Sequence, residues 1–306
     1  MSLSGWICVV TGASRGIGKG IALQLCEAGA TVYITGRKEA PLNETATQVN
    51  QRGGKCVPVI CDSTNDSDIE KLFERIKLEQ SGRLDLLVNN AYAGVQTIFE
   101  NQGKKFWETE PSMWDTINNT GLRSHYICSV YAARMMVAQG QGLIITISSM
   151  GGVRYLFNVP YGVGKAACDR MAADMALELR KSGVASISLW PGPVKTEIIE
   201  EMVLSDDSQQ KTKDVFVNGE TTEFSGLCIV NLAQDKNLMS LSGKILMTCE
   251  LARRYGLRDF NGRSVEDFTS VKFLLTQVPR LSWLSYVVPS FIRIPRSMLS
   301  MGSTNV

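Results

Sequence analysis

Histidine is almost absent from this 306-residue chain, and His125 stands alone. A zinc centre needs clustered ligands, so no metal site is expected. The eight cysteines (Cys8, Cys26, Cys56, Cys61, Cys128, Cys168, Cys228 and Cys249) form no C-x-x-C pair. Several lie in apolar runs, where a free thiol packs as a small hydrophobe, a usage that suits a reducing compartment. An excess of one charge is missing as well. Lysine plus arginine total 32 against 30 acids, a net charge of +2, which argues against nucleic-acid binding by bulk charge. A membrane span needs about 20 mostly apolar residues, and no stretch qualifies cleanly. The charge-free stretch 135–153 holds four glycines and reads as helix end, turn and buried strand. Few residues precede the first apolar run at Trp6, so no leader peptide is expected. Internal repeats and low-complexity linkers are also lacking. The sequons at Asn43, Asn65 and Asn118 are short patterns of the kind that arise by chance.

What is present is a globular composition, 44% apolar and 20% charged, enough for a sizeable core. Short β-branched runs at 6–10, 31–35, 57–61, 84–88, 143–148, 185–190 and 244–247 read as buried strands. Helical patterns lie between them at 17–29, 39–53, 66–80, 112–137, 161–182 and 225–235. This alternation predicts βαβ units and a parallel sheet. The expected fold is α/β, a Rossmann-like doubly wound sheet with helices on both faces. It occupies residues 1–250, and 251–306 form a C-terminal extension. The polar segment 197–224 follows a strand end, where it reads equally as a substrate lid or as a solvated insertion.

The first strand runs into Thr11-Gly12-Ala13-Ser14-Arg15-Gly16-Ile17-Gly18, and a helix follows. Glycines there permit a tight turn and bring backbone N–H groups close to a pyrophosphate, whose charge the helix N-terminus favours. Gly12, Ser14, Arg15, Gly16, Ile17 and Gly18 are therefore candidate cofactor contacts. An NAD site usually carries an acid at the end of the second strand, and none is present in Val32-Tyr33-Ile34-Thr35-Gly36-Arg37-Lys38. Arg37 stands there instead, with Arg15 in the first turn. Two guanidinium groups suit a 2′-phosphate, which points to NADP, with NADPH preferred over NADH.

These residues resemble the short-chain dehydrogenase/reductase family over about 5–250. The first turn has that family's T-G-x-x-x-G-I-G form, a spacing that favours its reductases over an epimerase or dehydratase on the same fold. The resemblance implies that Asp62 contacts adenine. Asn89-Asn90-Ala91 resembles the N-N-A-G motif, placing Asn89 and Ala91 at the cofactor, but Tyr92-Ala93 precede Gly94, a departure expected to reshape the loop near the nicotinamide. Asn118 matches the structural Asn of the central helix, and Tyr161-x-x-x-Lys165 matches the catalytic pair. Pro191-Gly192-Pro193-Val194-Lys195-Thr196 matches the turn on the nicotinamide side, implying contacts from Pro191, Gly192, Val194 and Thr196. Ser148 lies 13 residues before Tyr161, the family's usual separation, whereas Ser149 has the S-x-x-G pattern with Gly152. Ser149 is taken as the candidate. Residues 89–97 and 251–259 resemble one member of the family. That likeness implies reduction of carbonyls, including steroids and xenobiotics, at the endoplasmic reticulum.

Tyr161 and Lys165 are four apart, on one face of a helix. An ammonium beside a phenol, together with an oxidised nicotinamide, favours the phenolate and is expected to lower its pKa from the free value near 10. By resemblance Tyr161 gives a proton to a carbonyl in reduction and takes one from the matching alcohol in oxidation. Lys165 also holds the nicotinamide ribose, the serine hydroxyl bonds the substrate oxygen, and Asn118 anchors a water leading to Lys165. Tyr155, Leu156 and Phe157 precede Tyr161 and read as an apolar wall or a local cluster. His125 reads as a packed helix residue. The expected partner is a small apolar carbonyl or alcohol. Residues 279–306 contain no acid and set arginines beside aromatics, a pattern that suits peripheral membrane contact, packing on the domain, cover over the substrate mouth or subunit contact. A homo-oligomer is expected from the family. A cofactor-sensing or scaffold protein remains the alternative to an enzyme.

Overall fold

The computed structural model describes residues 2–205, 213, 215–276, 279–289 and 291–294. Part of the predicted lid (206–212 and 214) and the last residues of the extension lie outside these.

Seven strands form one sheet: β1 (Ile7–Val10), β2 (Thr31–Gly36), β3 (Lys55–Ile60), β4 (Leu86–Asn89), β5 (Gly142–Ile147), β6 (Val184–Trp190) and β7 (Ile245–Met247). Their order is β3-β2-β1-β4-β5-β6-β7, and every pair is parallel. All seven fall where the β-branched runs predict them. Alternate side chains feed two cores. Cys8, Val10, Leu86 and Val88 face one side, and Ile7, Val9, Leu87 and Ile144 the other. A sheet apolar on both faces must be covered on both.

Helices do this. The first core takes α1 (Gly16–Glu27), α2 (Glu39–Gln51), α8 (Phe224–Ala233) and α9 (Thr248–Tyr255). The second takes α3 (Asp66–Glu79), α6 (Ser124–Gln139) and the end of α7 (Val159–Leu179). Two short helices, α4 (Val95–Glu100) and α5 (Ser112–Asn118), lie between β4 and α6. The helix predicted over 112–137 is thus not continuous. A π-turn at Asn119–Arg123 separates α5 from α6, and wide turns of this kind recur at functional sites.

Helix α9 crosses the boundary drawn at residue 250 and buries Leu251 and Ala252 in the first core. Beyond it, Val265 and Phe268 pack on Trp190 and Met247. The extension continues through α10 (Val271–Thr276) and a 3-10 segment, Pro279–Tyr286. Among the described residues no helix is long and apolar enough to cross a membrane. All eight cysteines are buried and unpaired.

Strand order reverses between β1 and β4, whose C-terminal ends therefore open a crevice where doubly wound sheets bind ligands.

Candidate active site

The two loops that border the crevice are tied together. Asn90 Nδ2 donates to Thr11 O at 2.9 Å and to Gly12 O at 3.0 Å. Ala91 N donates to Thr11 Oγ1 at 3.1 Å. Gly12 has φ +66°, and a Cβ there would lie 2.6 Å from Ala91 Cα, so this approach requires glycine. Gly16 opens α1, and its N–H donates to Glu197 Oε2 at 2.9 Å. The helix N-terminus thus already engages an anionic oxygen, the chemistry a pyrophosphate presents. Ser14 and Ile17 are half-buried beside it, and Gly18 is buried.

At the end of β2, Arg37 is exposed, as is Arg15 in the first turn. Neither guanidinium forms a hydrogen bond or ion pair among the described residues. Asp62 accepts from Thr64 N at 2.9 Å and Thr64 Oγ1 at 2.8 Å. The Thr64 N–H chiefly holds its carboxyl below the usual range, and the charge of Arg37 contributes. Asn89 turns its side chain away from the first turn and donates to Ser129 Oγ on α6 at 2.8 Å.

Helix α7 carries Tyr161 and Lys165. Asn158 caps it, its Oδ1 accepting from Tyr161 N at 2.9 Å, and this fixes the first turn that presents the phenol. Burial pushes the Tyr161 hydroxyl up to about 12, while a hydrogen bond with Ser149 pulls it down. Ser149 Oγ also accepts from Gly151 N at 3.1 Å. Ser148 is buried and donates to the backbone oxygen of Lys165 at 3.1 Å. Ser149 is therefore the serine that meets the phenol.

Lys165 is 7% exposed and donates from Nζ to Ile147 O at 2.9 Å. Burial lowers its pKa, and the Cys168 and Asp169 side chains oppose that. Asn118 ends α5 at the π-turn, and its Nδ2 donates to Pro160 O at 3.2 Å. Its Oδ1 is buried without a partner among the described residues and lies against Gly164, where a Cβ would stand 2.1 Å from it. Tyr161, Lys165, Ser149 and Asn118 are thus brought together at the crevice.

Two aromatics frame the phenol. Phe157 meets Tyr161 edge to face, with ring centroids 5.1 Å apart. Tyr92 meets it at 6.1 Å and lies under Lys165 Nζ, 5.0 Å from its ring centroid. His125 is buried, with Nε2 3.0 Å from Ala91 O, and burial lowers its pKa to about 3. It is a packed, neutral histidine that supports the β4 loop.

Across the crevice, the turn Pro191–Thr196 is braced by Glu220. Glu220 N donates to Pro193 O at 2.7 Å, and Lys195 N donates to Glu220 O at 2.9 Å. Its carboxyl accepts from Thr248 Oγ1 at 2.6 Å and from Gly192 N, and Val194 pairs with it as an isolated bridge. Oε2 of Glu220 is buried without a partner among the described residues. Burial raises this carboxyl to about 8. Thr196 caps the following turn, accepting from Ile199 N at 3.4 Å. Asp259 of the extension accepts from Thr221 N at 2.8 Å, tying the extension to the same brace.

Sequence reasoning missed Asn90, Glu197 and Glu220 as parts of the site. Asn90 sits inside a recognised motif, and its neighbour to the motif's glycine, Tyr92, was visible as a departure. Glu197 and Glu220 lie in a polar segment where nothing local marks an acid that folds inward.

The family model described as short chain dehydrogenase matches residues 6–207. The human protein named Dehydrogenase/reductase SDR family member 1 is 58% identical over 304 residues, covering 98% of this chain and 97% of that protein. A tropinone reductase homolog of Arabidopsis thaliana is 30% identical over 230 residues, 74% of this chain and 83% of that protein. A short-chain type dehydrogenase/reductase from Mycobacterium marinum superposes with a TM-score of 0.70 at 28% identity, covering 80% of this chain and 94% of that one. A structure from Beutenbergia cavernae, provisionally assigned as an NAD(P)-dependent gluconate 5-dehydrogenase, holds NADP at low occupancy. It matches with a TM-score of 0.71 at 26% identity, covering 83% of this chain and 98% of that one. The matches span most of the chain: the chain belongs to the short-chain dehydrogenase/reductase family of nicotinamide-dependent oxidoreductases.

Proposed function

We propose that the chain is an NADPH-dependent reductase of apolar ketones or aldehydes, which also oxidises the matching alcohols. The observation that carries this reading is the Tyr161–Lys165 pair, set against Ser149 at the switch-point crevice. The bound dinucleotide supplies or accepts the hydride.

The first turn fits its pyrophosphate, since Gly16 N–H already takes the carboxylate oxygen of Glu197. Arg15 and Arg37, exposed and without ion-pair partners among the described residues, fit the 2′-phosphate. Asp62 fits the adenine side, and the Pro191–Thr196 turn the nicotinamide side. Tyr161 is protonated at neutral pH and gives its proton to the carbonyl oxygen. Ser149 shares the developing charge on that oxygen. Lys165 favours the phenolate left behind, and Asn118 holds α5 against the start of α7. Phe157, with Ile98, Met113 and Ile117 beside Tyr161, offers an apolar wall to the substrate.

The test of cofactor choice is calorimetric binding of NADPH and NADH to wild type and Arg37→Ala. A charge-assisted contact is worth about 1.5–3 kcal/mol, so the variant binds NADPH roughly 10- to 100-fold more weakly. NADH binding stays as it was. Equal binding of the two cofactors by wild type contradicts the preference.

A further inference from the structure

Tyr92 has no part in the hydride and proton chemistry above, yet it touches both members of the reactive pair. It follows Asn89-Asn90-Ala91 directly, in the position of the motif's glycine. Two later glycines make room for it. A Cβ on Gly121 would lie 2.7 Å from Tyr92 Cδ2, and one on Gly94 would lie 2.6 Å from its hydroxyl. The slot sets the ring face 5.0 Å from Lys165 Nζ and the ring 84° from the plane of Tyr161.

Lys165 is buried and has three protons to satisfy, of which Ile147 O takes one. A ring face attracts an ammonium and does so more strongly out of water. The Tyr92 hydroxyl is buried without a hydrogen-bond partner among the described residues. The ring, and not the hydroxyl, is what meets the site.

We propose that Tyr92 is a positioning residue whose ring face holds Lys165 in its protonated form beside Tyr161. The proposal rests on the reading of that pair as the proton-transfer machinery. The other titratable groups that act on Lys165 are Cys168 and Asp169 on α7 and His125 on α6, with Tyr161 one helical turn before it. Burial keeps His125 and Cys168 neutral near pH 7, which leaves Asp169 as the ionisable acid that also favours the ammonium.

The test is a lysine ε-carbon NMR titration of the full chain, with the Lys165 signal assigned by its loss in Lys165→Met. Tyr92→Phe keeps the ring and titrates with wild type. Tyr92→Leu lowers the Lys165 midpoint by about one pH unit. Trifluorophenylalanine at position 92 keeps the shape but weakens the ring face, and falls between the two. It carries the test if the leucine variant does not fold. Identical midpoints in wild type and the trifluorinated variant overturn the proposal, as does a Phe variant that shifts as far as Leu. The titration needs no turnover. A wild type that reduces no carbonyl therefore sinks the reductase reading and leaves the order of midpoints to be judged separately.

Discussion

Phe157 holds φ at +63°, a left-handed conformation that side chains larger than glycine rarely adopt. The cost is roughly 1–2 kcal/mol. The ring it places edge-on to Tyr161 returns about 0.5–1.5 kcal/mol. Phe157→Gly removes both, so its melting temperature stays within about 4 °C of wild type in a thermal scan. The wall over the phenol is lost, however. For apolar ketones kcat/KM falls about 10-fold, and for small polar ones it holds. Equal losses on both classes would remove Phe157 from the substrate surface. At the same scale, Tyr161 shows why side-chain chemistry is only half legible in sequence. The four-residue spacing to Lys165 is plain, but the choice between Ser148 and Ser149 depends on which hydroxyl meets the phenol and which is tied to Lys165 O.

Among the elements, the turn Pro191–Thr196 depends on a carboxyl that burial keeps protonated. Glu220 is 4% exposed and titrates at about 8 rather than 4.5. The folded chain therefore holds a proton that the unfolded chain releases between those values. Its contribution to stability is full below about pH 4.5 and is lost as pH rises through about 8. Glu220→Gln mimics the neutral form. Urea unfolding from pH 5 to pH 9 should show wild type losing stability relative to this variant. Parallel profiles would mean that Glu220 is ionised throughout. The strands were legible because buried parallel strands are short, apolar and β-branched. The break between α5 and α6 was not, since a π-turn keeps the helical pattern while shifting its phase. Helix α9 was missed because it begins directly after β7 with no polar break between them.

For the molecule as a whole, the parallel doubly wound sheet followed from alternating strands and helices, whereas its strand order and the fate of the extension did not. Its first part joins the first core through Leu251 and Ala252 and reaches the turn Pro191–Thr196 through Phe268, which lies against Gly192. Its later part leaves Trp283, Tyr286, Val287 and Phe291 exposed beside Arg280 and Arg293. Aromatic and basic residues exposed together fit a membrane surface. Co-sedimentation with anionic phosphatidylserine vesicles should retain wild type and release Trp283→Ser/Phe291→Ser. Wild type left in the supernatant would contradict this.

The central claim concerns turnover. NADPH oxidation should be followed with a panel of ketones, quinones and steroids, using wild type and Tyr161→Phe after calorimetry has shown that both bind the cofactor. The account predicts turnover of an apolar carbonyl by wild type. It predicts a loss of about 10²- to 10⁴-fold in kcat for Tyr161→Phe, with cofactor affinity unchanged. Turnover that survives in Tyr161→Phe at the wild-type rate would contradict it.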